Sequence, residues 1–101
     1  MGALEQITSF DTIHNYHERL VYGEVLRVAA TRSQGGSVDH RLLADIACVA
    51  LNRLPPRYIR HDVDYAFYVT PAEREEQAQR VADAVAQAWA YVTSSTARKA
   101  T

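Results

Sequence analysis

Asp45-Ile46-Ala47-Cys48-Val49-Ala50-Leu51-Asn52-Arg53-Leu54-Pro55-Pro56-Arg57-Tyr58-Ile59 carries an apolar helical pattern straight into a double proline. The ring of Pro56 restricts the residue before it to extended geometry, and neither proline has a backbone N–H with which to continue a helix. The helix is therefore expected to end near Leu54, and the chain to leave it stiffly. Arg53, Arg57, Tyr58, Arg60 and His61 sit on that exit. A rigid corner bearing arginines and an aromatic ring is suited to gripping a planar anion, because guanidinium planes stack on bases and fork onto phosphate oxygens. Residue types alone favour a plain structural reading, with Tyr58 packed under the corner and the arginines solvated.

Upstream of the corner, the helix is expected to begin near Val38-Asp39, with Leu42, Leu43, Ile46, Val49, Ala50 and Leu54 as core positions. It is apolar over much of its circumference, which marks it as central, and Cys48 reads as a small core residue. Gly35-Gly36 centres a polar turn over residues 31–37. Before that turn a first helix is expected from about Asp11 to Ala30, capped by Asp11 or Ser9, with Ile13, Tyr16, His17, Leu20, Val21, Val25 and Val28 on one face. Gly23 weakens that helix without ending it. Residues 1–10 read as a loosely held arm.

Downstream, Val63, Tyr65, Phe67 and Val69 alternate with Asp64, Ala66, Tyr68 and Thr70, a strand pattern in strand-prone residues. Thr70-Pro71-Ala72-Glu73 then announces a helix, with Thr70 as cap, Pro71 at the first helical position and Glu73 completing a capping box. That helix is expected to run to about Thr93 on a stripe of Ala78, Val81, Ala82, Val85, Ala88, Trp89 and Val92, leaving 94–101 as a frayed polar tail. The expected fold class is α+β, mostly α: one domain over 1–101, three main helices, and one short strand between helices two and three. A lone strand exposes unpaired backbone groups. Pairing with the same strand of a second copy across a two-fold axis is the economical remedy, the alternative being that 62–70 is an extended linker; small size favours a homodimer, strand- or helix-mediated, as well.

The chain has 101 residues and a formal net charge of −1, so no global basic field draws it to nucleic acid or to an anionic membrane. Of its 11 basic residues all but Lys99 are arginine, a choice that suits bidentate phosphate contacts and stacking and that a GC-rich genome explains as well. Cys48 is the one cysteine, which excludes an intrachain disulfide and a cysteine-rich zinc pattern. No apolar stretch approaches spanning length, and no basic region precedes a long apolar one; a cytoplasmic location is expected. Ser9, Ser33 and Ser37 lie outside any nucleophile motif. Glu73, Glu75 and Glu76 read as first-turn residues that complement a helix dipole, and no phosphate loop or dinucleotide fingerprint is present. An enzyme is not expected, nor a cofactor. His14 and His17 are spaced to bind a metal together, but a third ligand is wanting, and they read as surface and rim residues. Asn52, in the last turn, is expected to bond the freed carbonyls or the outgoing chain. Asp45 is expected to pair with Arg41 one turn back, and Glu18 to brace helix one against the corner.

The run closely resembles the ComFB family of late competence development proteins, whose signature is an aspartate, a helical stretch and then Ala-Leu-Asn-x-Leu-Pro-Pro-x-Tyr. It is matched here by Asp45 and by Ala50-Leu51-Asn52-Arg53-Leu54-Pro55-Pro56-Arg57-Tyr58. A weaker upstream match falls on Asn15, Glu18 and Val21, and the resemblance covers roughly 13–92. Some members carry a Cys-x-x-Cys pair just before the aspartate; Asp39 and Leu42 stand there instead, which argues against a zinc site of that kind. The resemblance implies a non-enzymatic receptor for a cyclic dinucleotide, cyclic di-GMP or cyclic di-AMP, acting as a homodimer toward a downstream regulatory protein. A symmetric ligand suits a symmetric dimer. The candidate ligand-binding residues are Asn52, Arg53, Arg57, Tyr58, Arg60, His61 and Tyr68, with Tyr65 as a further stacking face. The alternative is a ligand-free regulatory scaffold linked to competence or motility, in which the proline corner is architectural.

Overall fold

A computed structural model describes residues 7–33 and 39–100. A 3-10 turn at Phe10–Thr12 leads into strand β1 (His14–Asn15) and helix α1 (His17–Ser33). Helix α2 (His40–Asn52), strand β2 (Tyr58–Ile59), the short helix α3 (Asp62–Tyr68) and the long helix α4 (Pro71–Ala100) follow. The architecture is mostly helical: α1, α2 and α4 form a three-helix bundle in which each packs on the other two.

The bundle forms because each long helix presents a stripe at helical spacing. Val21, Val25 and Ala29 come from α1, Leu43, Ile46, Ala47 and Ala50 from α2, and Val81, Ala84, Val85, Ala88, Trp89 and Val92 from α4. Leu54, just past the end of α2, closes the core beneath the prolines. Burial follows the expected faces with three exceptions: Ala84 takes the place of the exposed Ala78, Ala47 joins the core, and Ile13 is exposed. Cys48 departs from expectation: it is exposed on the α1 side of α2 rather than in the core. Arg41 and Asp45 are both exposed and form no ion pair with each other.

The starts of α2 and α4 follow the sequence. Asp39 caps α2, its carboxylate accepting the Arg41 N–H at 3.0 Å. Thr70 Oγ1 accepts the Glu73 N–H at 3.1 Å while Glu73 reaches back to the Thr70 N–H at 3.5 Å, the reciprocal capping box. Thr70→Ala is expected to lower the unfolding free energy by about 1 kcal/mol, read from urea denaturation, with Thr70→Ser recovering most of it.

Three expectations are corrected. Residues 62–70 do not form a strand: Asp62–Tyr68 is helical, with the Tyr65 N–H on the His61 carbonyl at 3.2 Å and the Val69 N–H on the Tyr65 carbonyl at 3.1 Å. The alternation is too short to fix a period, Asp62 and Asp64 favour a helix N-terminus, and the half-buried Asp62, Tyr65 and Val69 are three and four apart. Strand pairing across a dimer at this segment therefore has no strand to use. The strands lie elsewhere, as an antiparallel pair with His14 opposite Ile59 and Asn15 opposite Tyr58. Because residues 14–15 are extended, α1 begins at His17 rather than at Asp11, and it continues through Thr31 to Ser33. Finally, α4 does not stop at Thr93. No glycine or proline interrupts 94–100, and Ala97, Arg98, Lys99 and Ala100 are good helix formers. The expected Gly35-Gly36 turn and most of the N-terminal arm lie outside the described residues.

Candidate functional site

Pro55 and Pro56 carry the chain off α2 toward the segment that precedes α1. Asn52 donates its side-chain amide to the Cys48 carbonyl at 3.2 Å, so it braces the last turn of its own helix. The clamp on the outgoing chain is Asn15. Its Oδ1 accepts the Arg57 N–H at 2.9 Å and the His17 N–H at 3.1 Å, and the Tyr16 N–H donates to the Arg57 carbonyl at 2.7 Å. One side-chain oxygen thus satisfies the first free donor of α1 and fixes the direction of the corner. An asparagine two residues before a helix is the usual signal for such an Asx turn. The sequence reading named Asn15 only as part of the family resemblance.

The expected site residues are distributed around this clamp. The Arg57 guanidinium carbon lies 5.1 Å from the Tyr65 ring centroid, a cation–π arrangement, and the Tyr65 ring lies 4.3 Å from that of Tyr16. Gln77 donates to the Tyr65 hydroxyl and steadies the stack. Arg60 donates from Nε to Thr12 Oγ1 at 3.0 Å, and with His61 it lines a shallow depression that continues over Asp62 and Asp64. Arg53 turns toward α4, reaching Gln87 Oε1 at 3.4 Å with its guanidinium carbon 5.7 Å from the Tyr91 ring. Tyr58 is 68% exposed on β2. Tyr68 is 79% exposed on α3, edge-on to Phe67 at 5.5 Å. The structure therefore brings Arg57 to Tyr65 and Arg60 beside His61, while Arg53, Asn52 and Tyr68 point to other neighbours.

Two histidines titrate in opposite senses beside the corner. His14 Nε2 is 2.8 Å from Asp62 Oδ1, and its Nδ1 is 2.8 Å from the Thr12 carbonyl. This clamp ties β1 to α3, and Arg19 stands 3.8 Å from the other Asp62 oxygen. The hydrogen bond to Asp62 raises His14 above the usual 6.5, and the same bond lowers Asp62 below 3.8. His17 is instead pushed below 6.5 by burial, with Arg57 and Arg80 adding to the effect against the Pro55 carbonyl, and its Nδ1 is buried without a hydrogen-bond partner. His14 contributes stability in full below pH 6.5 and loses it as pH rises through its raised pKa; Asp62 contributes above pH 3.8 and loses it as pH falls through its depressed pKa. The clamp is at full strength between those values. The stability advantage of the native protein over His14→Gln, measured by urea denaturation, is expected to be larger at about pH 6 than at about pH 8.5; His17 is common to both proteins and cancels. An advantage independent of pH would contradict the clamp.

Among the described residues no group of three or more histidines, cysteines, aspartates or glutamates is arranged to hold a metal ion, and no helix is long and apolar enough to cross a membrane. An apolar groove lies between α1 and α2, lined by Tyr22, Val25, Leu26, Leu43, Ala47 and Leu51. Its rim is open, with Leu26 61% and Tyr22 48% exposed.

A family model described as late competence development protein ComFB matches residues 14–96, most of the chain, from the first strand through the core stripe of α4. No curated protein and no solved structure gives a match.

Proposed function

Because the chain belongs to the ComFB family of late competence development proteins, we propose that it is a non-enzymatic receptor for a cyclic dinucleotide, working as a homodimer. The observation that carries the reading is Arg57 over Tyr65, held in place by the Asn15 clamp. A guanidinium already stacked on one ring offers its other face to a base and its N–H groups to a phosphate. Arg60 and the exposed Tyr58 stand on the same exit from the corner and extend the surface. The backbone of Arg57 is held on both sides, its N–H donating to Asn15 and its carbonyl accepting from Tyr16, so little backbone ordering remains to be supplied on binding.

The second copy is proposed to seat on the α1–α2 groove, where an open apolar surface marks an interaction site and a two-fold axis would repeat the same patch on both chains. Ligand binding would favour one dimer geometry and present it to a downstream regulatory protein. The location proposed is cytoplasmic, and no direct contact with nucleic acid or membrane is proposed.

The test is thermal stabilisation by cyclic di-GMP and cyclic di-AMP of the native protein, Arg57→Ala and Arg60→Ala, with sedimentation equilibrium beside it. Stabilisation of the native protein by at least one of the two ligands is expected, together with loss of most of that shift in Arg57→Ala and a species of twice the chain mass. Stabilisation equal in all three proteins would place the ligand elsewhere.

A second reading, a ligand-free regulatory scaffold, is favoured by the outer face of α3. Val63, Phe67 and Tyr68 project there at 80%, 82% and 79% exposure, the kind of apolar surface a protein partner covers. It expects no stabilisation by either dinucleotide, and loss of partner capture in Phe67→Ala.

A further inference from the structure

A cavity of about 500 Å3 lies where α1, α3 and the first turns of α4 meet, within the range of about 300–1,000 Å3 typical of small-molecule sites. Its floor is apolar, with Leu20 from α1 and Val81 from α4, and Tyr16 forms one edge. Three guanidinium groups line it, from Arg19, Arg27 and Arg74, against the single carboxylate of Glu24. That concentration of positive charge stands out in a chain of net charge −1.

The charges are unequally engaged. Arg27 and Glu24 neutralise each other through two bonds of 2.9 and 2.8 Å, so Arg27 is fixed in direction. Arg74 makes one contact, from a terminal nitrogen to the Ala66 carbonyl at 3.3 Å, which leaves most of its five donors free. Arg19 is 80% exposed and forms only a loose ion pair with Asp62, 3.8 Å away and beyond hydrogen-bond reach, so its N–H donors stay open to a phosphate. Gly23 opens into the same space. A Cβ added there would meet nothing within 4 Å, although a mid-helix glycine costs about 0.5–1 kcal/mol relative to alanine. Packing in the folded chain does not require a glycine at this position, and the room it leaves belongs to the cavity.

We propose that this cavity binds a small phosphorylated molecule with a planar ring. Arg19 and Arg74 hold the phosphate, and the ring lies on the apolar floor beside Tyr16. The fixed Arg27–Glu24 pair presents one donor edge and one acceptor edge to the ring substituents. Guanidinium groups match phosphate oxygens two at a time, and an apolar floor rewards the ring and not the phosphate, so both parts are needed for appreciable affinity. The site adjoins the proline corner, because its Tyr16 packs on Tyr65 and its Gln77 bonds the Tyr65 hydroxyl, but Arg57 itself does not line it, and it does not rest on the ligand proposed there.

The probes are GMP, AMP, guanosine and inorganic phosphate, titrated into the full chain while the arginine Nε–H resonances are followed by NMR. Saturable shifts of Arg19 and Arg74 with a nucleoside monophosphate are expected, with inorganic phosphate at least tenfold weaker and guanosine giving none. Gly23→Leu places a bulky side chain in the cavity and is expected to abolish the shifts, while Gly23→Ala and Arg57→Ala retain them. Arg74→Ala, an exposed change that the fold tolerates, is expected to weaken binding at least tenfold and stands in if Gly23→Leu does not fold. Shifts spread alike over all arginines, no saturable shift, or binding that survives both Gly23→Leu and Arg74→Ala would overturn the site. Loss of binding in Arg57→Ala alone would assign the nucleotide to the proline corner instead.

Discussion

Ile46→Ala is expected to lower the unfolding free energy by about 2–5 kcal/mol, a large part of the roughly 5–15 kcal/mol that holds a typical domain together. Ile46 is fully buried, one of the largest side chains in the chain to be so. It sits on α2, which packs on both α1 and α4. Its removal leaves a void that must be collapsed onto from two sides at once, and neighbours such as Val21 and Val85 are themselves fully buried and have little freedom to move. Ile46→Val trims one methyl and is expected to cost about 0.5–1.5 kcal/mol. Urea denaturation followed by circular dichroism reads both. Equal, small losses in the two variants would mean that α2 is not the centre of the bundle.

Asn15→Ala is the second large effect, and it separates the corner from the core. It removes the oxygen that accepts both the Arg57 and the His17 N–H, so the cost combines a lost helix cap with a lost bond across 42 residues of sequence. About 1–3 kcal/mol is expected. Asn15→Asp keeps the acceptor and is expected to recover most of the loss. The readout specific to the corner is the Arg57 amide. Its hydrogen-exchange protection should fall in Asn15→Ala and return in Asn15→Asp, while amides in the middle of α2 keep theirs. Uniform loss of protection along the chain would show that Asn15 supports the whole fold rather than the corner.

How far apart in sequence the interacting residues lie decides which parts of this fold are legible before folding. The three long helices are legible because their stripes repeat over many turns, and the starts at Asp39 and Thr70 and the stop at Leu54-Pro55 are local chemistry. Residues 62–70 were misread because an alternation over so few residues fits either period, and helix was decided by neighbours distant in sequence: the His14 clamp on Asp62 and the packing of Tyr65 under Arg57 and against Tyr16. The apolar neighbours Ala47 and Val49 make Cys48 read as a core residue, yet its own place on the helix circumference turns it to the open groove.

The candidate site divides in the same way. Arg57, Arg60 and Tyr58 could be proposed from the double proline alone. Asn15 carried a signal, an asparagine just before a helix, that says where α1 starts and nothing about what else its oxygen accepts. The arginines around Gly23 had no signal at all: Arg19 and Arg27 are eight apart on α1, and Arg74 comes from α4. Tertiary packing alone brings them together.

The central claim is that this chain binds a cyclic dinucleotide through the proline corner. Calorimetric titration of Arg74→Ala, which leaves the corner intact and weakens the cavity between α1 and α4, with cyclic di-GMP and with cyclic di-AMP tests it most directly, with GMP and AMP titrated alongside to measure what one phosphorylated half contributes at the corner. The account predicts low-micromolar or tighter binding of at least one cyclic dinucleotide, well beyond either mononucleotide, at one ligand per chain or per dimer. No heat with either cyclic dinucleotide, or affinity no better than that of GMP and AMP, would contradict it.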